Sequence, residues 1–288
     1  MRAIVITLLV LLSPLAAAQP VLKATQLAEF DRGLSQPHDA AFSPDGKLIF
    51  VTDMRASRMR VLEAMTLALA GTFGDGELSN PHDAAFDKAG RLLVADTGND
   101  RIAIYEVKGA QARLVGELKG LSGPEGVAVA PDGRVVVANT RGATLSVFRD
   151  GKLERTVGGS GSRDGEFASP HDVEVAADGS VYVVDSGNDR VQVFDAEFRH
   201  RATFGAALKL SGPKYLAFDG DRLWLADEHN HRILLLDRAH QPLGVLGTGK
   251  RGRAAGEFHK PEAVLARAPY VWVIDTYNDR VLLLRLDQ

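Results

Sequence analysis

The chain has 288 residues, a formal net charge of −3 and no cysteine. The missing cysteines exclude disulfides, thiolate metal sites and a cysteine nucleophile. The near-balanced charge, with Lys250-Arg251-Gly252-Arg253 as its basic cluster, argues against a nucleic-acid surface, and 45% apolar residues are ample for one large core.

Taken in chain order, residues 1–18 read as a secretory leader. Arg2 supplies the positive start, Ile4 to Leu12 the apolar run, and Ala16-Ala17-Ala18 a small-x-small cleavage site. That run is too short to span a bilayer, and no later stretch approaches the roughly twenty apolar residues required. The expectation is a soluble periplasmic or secreted monomer with a single domain over 19–288.

From there the chain repeats itself. Six units each start at a proline (Pro37, Pro81, Pro124, Pro170, Pro213 and Pro261), 43 to 48 residues apart. After the proline comes a short alternating segment such as His38-Asp39-Ala40-Ala41-Phe42, then a hairpin turn such as Pro44-Asp45-Gly46. An apolar run follows and ends in an acid: Asp53, Asp96, Asp185, Asp227 or Asp275, with Asn139 in the third unit. Five residues later an arginine opens a third strand, and a fourth short strand leads through a Gly-rich loop to the next proline. Four antiparallel strands per unit and a period in the forties predict an all-β fold, a six-bladed β-propeller. Leu27-Ala28-Glu29-Phe30 resembles a fourth strand, and the last unit stops after its third at Leu286. The N-terminal strand is therefore expected to complete the last blade.

The repeats PHDAAFDKAGRLLVADTGNDRI, from Pro81, and PHDVEVAADGSVYVVDSGNDRV, from Pro170, resemble NHL repeats, and the resemblance covers the whole chain after the expected leader. It implies the propeller but no particular activity, because this fold hosts scaffolds and enzymes alike.

Two sets of polar residues separate on the repeat. The pairs Asp53/Arg58, Asp96/Arg101, Asp185/Arg190, Asp227/Arg232 and Asp275/Arg280 recur in five units and cannot be one active site; they are expected to be structural, with Asn139 and Thr144 as a neutral substitute. The position after each proline varies instead: His38, His82, Glu125, His171, Lys214, Glu262. It begins the innermost strand, so six polar side chains should converge on one mouth of the channel as a concave site. Asp39, Asp83 and Asp172, which follow the histidines, are expected as strand caps or as acceptors behind the ring.

Alternate blades of a six-fold ring lie about 120° apart, which suits three ligands on one face of a metal. Blades two, four and six give His82, His171 and Glu262, an open set for zinc or iron. His38, Glu125 and Lys214 would hold the substrate or act as acid and base. In this respect the chain resembles the peptidyl-hydroxyglycine (peptidylamidoglycolate) amidating lyases, six-bladed propellers of this repeat type. That resemblance implies zinc on histidines after the proline in alternate blades; His82 and His171 match, and Glu262 stands where a third histidine is found. It also implies an arginine and a tyrosine near the metal. Arg55 sits where the arginine is expected. Arg141 occupies the tyrosine's place in the third blade, and Tyr277 holds the equivalent place in the sixth. Arg55, Arg141, His229 and Tyr277, each two residues past a blade's acid or Asn, are candidate contacts to an anionic ligand.

Two functions remain open. One is a channel-mouth site for a metal ion, small molecule or peptide, acting as a lyase or hydrolase. The other is a scaffold that binds an exported protein or peptide on the loop face. A sugar lactonase is a third, more distant resemblance, since its metal ligands are mainly acidic and amide side chains.

Overall fold

A computed structural model describes residues 19–287, so the expected leader over 1–18 lies outside the described part. Six four-stranded antiparallel sheets stand around a common axis. Blade 1 runs Pro37–Phe42, Leu48–Asp53, Arg58–Glu63 and Leu69–Phe73, from the axis outward. Blades 2 to 5 repeat this order. In blade 6 the strands Ala263–Arg267, Tyr270–Asp275 and Arg280–Leu286 are completed on the outside by Ala24–Phe30, as the repeat predicts. The innermost strands touch in sequence around the ring, and Ala263–Arg267 closes on Pro37–Phe42.

The sequence dictates this locally. The residue before each proline (Gln36, Asn80, Gly123, Ser169, Gly212, Lys260) has positive φ, so the chain turns sharply into the channel. Proline has no N–H to leave unpaired there and opens the inner strand in five blades. In blade 6, Pro261 and Glu262 lie just before the strand. The second strands are apolar on both faces because blades cover them on both sides. Ile49, Phe50 and Val51 are all buried.

The repeated acid holds each blade to the loop before it. Asp96 Oδ1 accepts the Ser79 N–H at 2.7 Å, and its Oδ2 accepts Asn99 at 2.8 Å and Arg101 at 2.7 Å. The acid–arginine contact recurs at 3.1, 2.8, 2.7 and 2.6 Å in blades 1, 4, 5 and 6. In blade 3, Asn139 takes over with hydrogen bonds to Thr144 and Ser146. These pairs are structural.

A further device joins neighbouring blades, and the repeat pattern does not announce it. After the acid the chain makes a short 3-10 turn that ends in a left-handed residue, as in Thr97–Asn99 capped by Asp100. That cap reaches into the following blade: Asp100 accepts the Gly123 N–H, Asp189 the Gly212 N–H, and Asp279 the Gln36 N–H, each at 2.7 Å. The glycine inside the turn is required by proximity, since a Cβ on Gly98 would lie 2.2 Å from Ser79 Oγ. The N-terminal segment adds a further tie. Leu22 N–H donates to Val245 O and Val245 N–H to Pro20 O, joining it to the outer strand of blade 5 before it completes blade 6.

Candidate active site at the channel mouth

Three histidines from blades 1, 2 and 4 do converge. The rings of His38 and His82 meet edge to face with centroids 4.5 Å apart, and His171 lies 6.5 and 6.2 Å from them. Backbone turns set two of the three. His38 Nδ1 donates to Gln36 O at 3.1 Å and His82 Nδ1 to Asn80 O at 2.8 Å, each carbonyl belonging to the left-handed residue before the proline. A carbonyl only accepts, so in the neutral ring the proton sits on Nδ1 and Nε2 offers a lone pair.

Carboxyl groups face those nitrogens. Glu262 Oε2 lies 3.2 Å from His38 Nε2, and Glu125 reaches His171 Nε2 at 3.2 Å and His82 Nε2 at 3.9 Å. The grouping therefore differs from alternation around the ring. Glu262 belongs with His38, and Glu125 spans His82 and His171, because side chains of neighbouring blades meet at the axis more closely than a symmetric ring implies. Two buried atoms at the mouth, His171 Nδ1 and Glu262 Oε2, have no hydrogen-bond partner among the described residues. The 3.2 Å approach to His38 is close but is not a formed hydrogen bond.

Burial controls the charges. It holds His38 and His171 well below the ordinary imidazole range, helped by Lys214 and by the other histidines. His82 is lowered too, by burial, while Glu125 opposes the shift. Burial pushes Glu262 up to about 8, with Lys214 opposing and Glu228 and Glu125 adding to it. Near neutral pH the mouth thus holds neutral imidazoles beside a carboxyl group that keeps its proton.

The remaining expected residues divide. Lys214 stands at the mouth, 3.7 Å from Glu228 Oε2, and its charge acts on all three histidines. Arg55 is exposed near His38, whose protonation its charge disfavours. Arg141 is paired with Asp100 of blade 2 instead of facing the ring. Half-exposed His229 lies 3.6 Å from Glu228, and Tyr277 packs against His259 and under Lys260. Both belong to the seam between blades 5 and 6.

Asp83 and Asp172 reach across to the following blade. Asp83 accepts the Val127 N–H at 2.5 Å and Asp172 the Leu216 N–H at 2.9 Å, while burial and then the neighbouring Asp83 carboxyl push the pKa of Asp39 well above the usual carboxylate range. Two residues of the mouth escaped the sequence. Tyr215 is buried with its ring on His171 and its hydroxyl 3.3 Å from Glu125 O. Its signal was its place, two residues past the proline, where three blades carry Asp. Buried Glu228 follows the fifth acid, where Thr97, Thr140 and Ser186 elsewhere donate to the next blade's proline carbonyl.

Among the described residues no three His, Asp or Glu side chains are placed to hold a metal ion together, and carboxyl groups already oppose the imidazole nitrogens. No described helix is long and apolar enough to cross a membrane.

The NHL repeat family matches residues 78–105, 121–148 and 167–194, within blades 2, 3 and 4 and the loops that lead into them. A sequence search among curated proteins gives no match. Three similar solved structures illustrate the fold. A catalytically inactive histidine-to-alanine variant of virginiamycin B lyase from Staphylococcus aureus, with quinupristin, is 13% identical at a TM-score of 0.67, covering 92% of this chain and 100% of that one. A streptogramin B lyase is 13% identical at 0.66, covering 92% and 97%. An auxiliary nutrient binding protein from Bacteroides ovatus is 13% identical at 0.69, covering 94% and 76%. At such identities the likeness is one of fold.

Proposed function

We propose that this NHL-repeat propeller is an exported protein that binds a small molecule or short peptide at its channel mouth and cleaves it as a lyase. One observation carries the reading: the lone pair of His38 Nε2, set by the Gln36 carbonyl, faces a Glu262 carboxyl 3.2 Å away at a buried mouth. A neutral imidazole is the base an elimination requires, and a protonated carboxyl is the acid. In that reaction a C–H proton passes to an imidazole Nε2 and the bonding pair becomes the new double bond. The bond to the leaving group breaks, and the leaving atom takes the Glu262 proton. His171 and Glu125 would orient the ligand, with Tyr215 fixing His171 from behind. Lyases are among the solved structures that share this fold.

The test is incubation of the purified protein with quinupristin and a panel of linear and cyclic peptides, read by mass spectrometry and thermal shift. Products whose masses sum to that of the substrate indicate elimination, and the gain of one water indicates hydrolysis. Both should vanish in His38→Ala and in Glu262→Gln. Saturable binding without turnover would reduce the site to a receptor. No binding, or binding indifferent to His38→Ala and His171→Ala, would overturn it in favour of a protein-binding scaffold. Elemental analysis belongs to the same experiment. Zinc or iron near one per chain, lost in His82→Ala, would convert the site to the metal centre that the amidating-lyase resemblance implies.

A further inference from the structure

The repeat carries its own control. A residue needed only to build a blade should take the same character in every blade, and at one seam five loop positions depart together. Before each proline, in order, stand Ser35-Gln36, Ser79-Asn80, Ser122-Gly123, Ala168-Ser169 and Ser211-Gly212, but His259-Lys260 in the sixth unit. The left-handed cap of the short turn is Asp100, Asp189 and Asp279 in blades 2, 4 and 6, Ser57 in blade 1 and Ala143 in blade 3, but His231 in blade 5. The two positions after the blade's acid or Asn139 hold Glu228-His229 there, against Met54-Arg55, Thr97-Gly98, Thr140-Arg141, Ser186-Gly187 and Thr276-Tyr277, so that blade 5 puts a carboxyl group where the others have Met, Thr or Ser. Six of the eight histidines of the chain thus lie on the ring face, three at the channel and three at this seam.

These side chains form one group. Lys260 Nζ lies 3.0 Å from Glu228 Oε1 and 4.9 Å over the ring of Tyr277. His259 packs on Tyr277 at 5.4 Å and on His231 at 5.9 Å between centroids. Lys214 lies 3.7 Å from the other Glu228 oxygen, so the seam joins the channel mouth directly. Glu228 is buried, while His229, Lys260 and Tyr277 remain open to solvent. One carboxylate between two ammonium groups leaves a single positive charge. His231 accepts the Lys260 N–H through Nδ1, so its proton lies on Nε2, as a donor. The surplus of positive charge is felt there: burial, then His259, Lys260 and Arg251, lower the His231 pKa.

We propose that this seam binds the carboxylate of the ligand whose reacting part lies over the histidines, so that the protein acts on small organic acids or on peptides with a free carboxyl end. This rests on reading the channel mouth as a ligand site. A monoanion matches the single net charge, whereas the buried Glu228 would repel a phosphate dianion. Half-buried Lys260 and the more exposed His229 supply the charge-assisted hydrogen bonds that recognise a carboxylate.

The probes are acetate, the isosteric neutral acetamide, and inorganic phosphate, titrated while the imidazole resonances of His229, His231 and His259 are followed by NMR. Acetate is expected to shift them saturably and acetamide not to. Lys260→Met and the half-exposed His229→Ala should each weaken acetate binding by about tenfold. His229→Ala removes no partner from a buried charge other than a 3.6 Å neighbour, so it keeps the test valid if Lys260→Met misfolds. His82→Ala should leave acetate binding intact, which separates this subsite from the chemistry at the histidines. Equal response to acetate and acetamide, tighter binding of phosphate, or indifference to both substitutions would overturn the proposal.

Discussion

His38 of the first blade and Glu262 of the last meet 3.2 Å apart, at the junction where the ring closes. Neither residue has its partner until the N-terminal strand has completed blade 6 and the two ends of the chain are joined. The proposed acid–base pair is therefore a product of closure, and loosening the closure should loosen the site.

Closure can be weakened at one atom. Asp279→Ala removes the acceptor of the Gln36 N–H and should lower stability by about 1 kcal/mol, as a partly exposed hydrogen bond to a charged group. The equivalent Asp100→Ala, at an internal junction, should cost a similar amount in urea denaturation. Only the Asp279 variant should also release the N-terminal segment to protease and slow turnover. Equal proteolysis of both variants would argue against a special role for this contact.

Stability should depend on pH through Glu262. Its carboxyl has a folded-state pKa of about 8 against an ordinary 4.5 because of burial, so the fold favours the protonated form. The contribution is full below pH 4.5, declines as pH rises, and is lost once pH passes about 8. Glu262→Gln should thus be more stable than the parent at pH 8.5 and close to it at pH 4 (urea midpoints at both values decide). His38 and His171 act in the opposite sense. Their pKa values are lowered, so their contribution is present above the ordinary 6.5 and lost as pH falls. A parent protein whose midpoint rises between pH 7 and 9 would contradict the Glu262 assignment.

The repeated acids should report on folding alone. Asp96→Ala leaves Arg101, Asn99 and the Ser79 N–H without their shared acceptor, and is expected to cost about 3 kcal/mol. The folded fraction should bind ligand as before. A variant with parental stability but lost binding would move this residue from the frame to the site.

Tyr215→Phe removes a buried hydroxyl that donates to Glu125 O at 3.3 Å while keeping the ring against His171. Stability should fall by about 1 kcal/mol. If Tyr215 positions His171, the pH profile of turnover should shift while KM is held, and an unchanged profile would leave it a channel filler.

Gly187→Ala tests the short turn. The added Cβ would lie 2.3 Å from the Ala168 carbonyl oxygen, so backbone must move, at a cost of about 1–3 kcal/mol. Gly90→Ala, with open space around its Cβ, should show only the smaller cost of a positive φ. Circular-dichroism melts of the two variants provide the comparison.

By itself the sequence determined the six blades, their four-strand order, the closing role of Leu27 to Phe30, and the structural nature of the acid–arginine pairs. These depend on local chemistry repeated at a fixed period: a proline to open the inner strand, Asp-Gly turns, and apolar runs covered on both sides. The ring at the channel mouth was legible for the same reason, since repetition tells where each proline's successor must point. Tertiary structure alone decided which of those residues meet. Glu262 joins His38, Glu125 spans two histidines, Arg141 is taken by Asp100, and Tyr277 turns to Lys260. Such pairing is set by side-chain length, rotamer and the charge of residues between 17 and more than 200 positions away, and no period in the sequence encodes it.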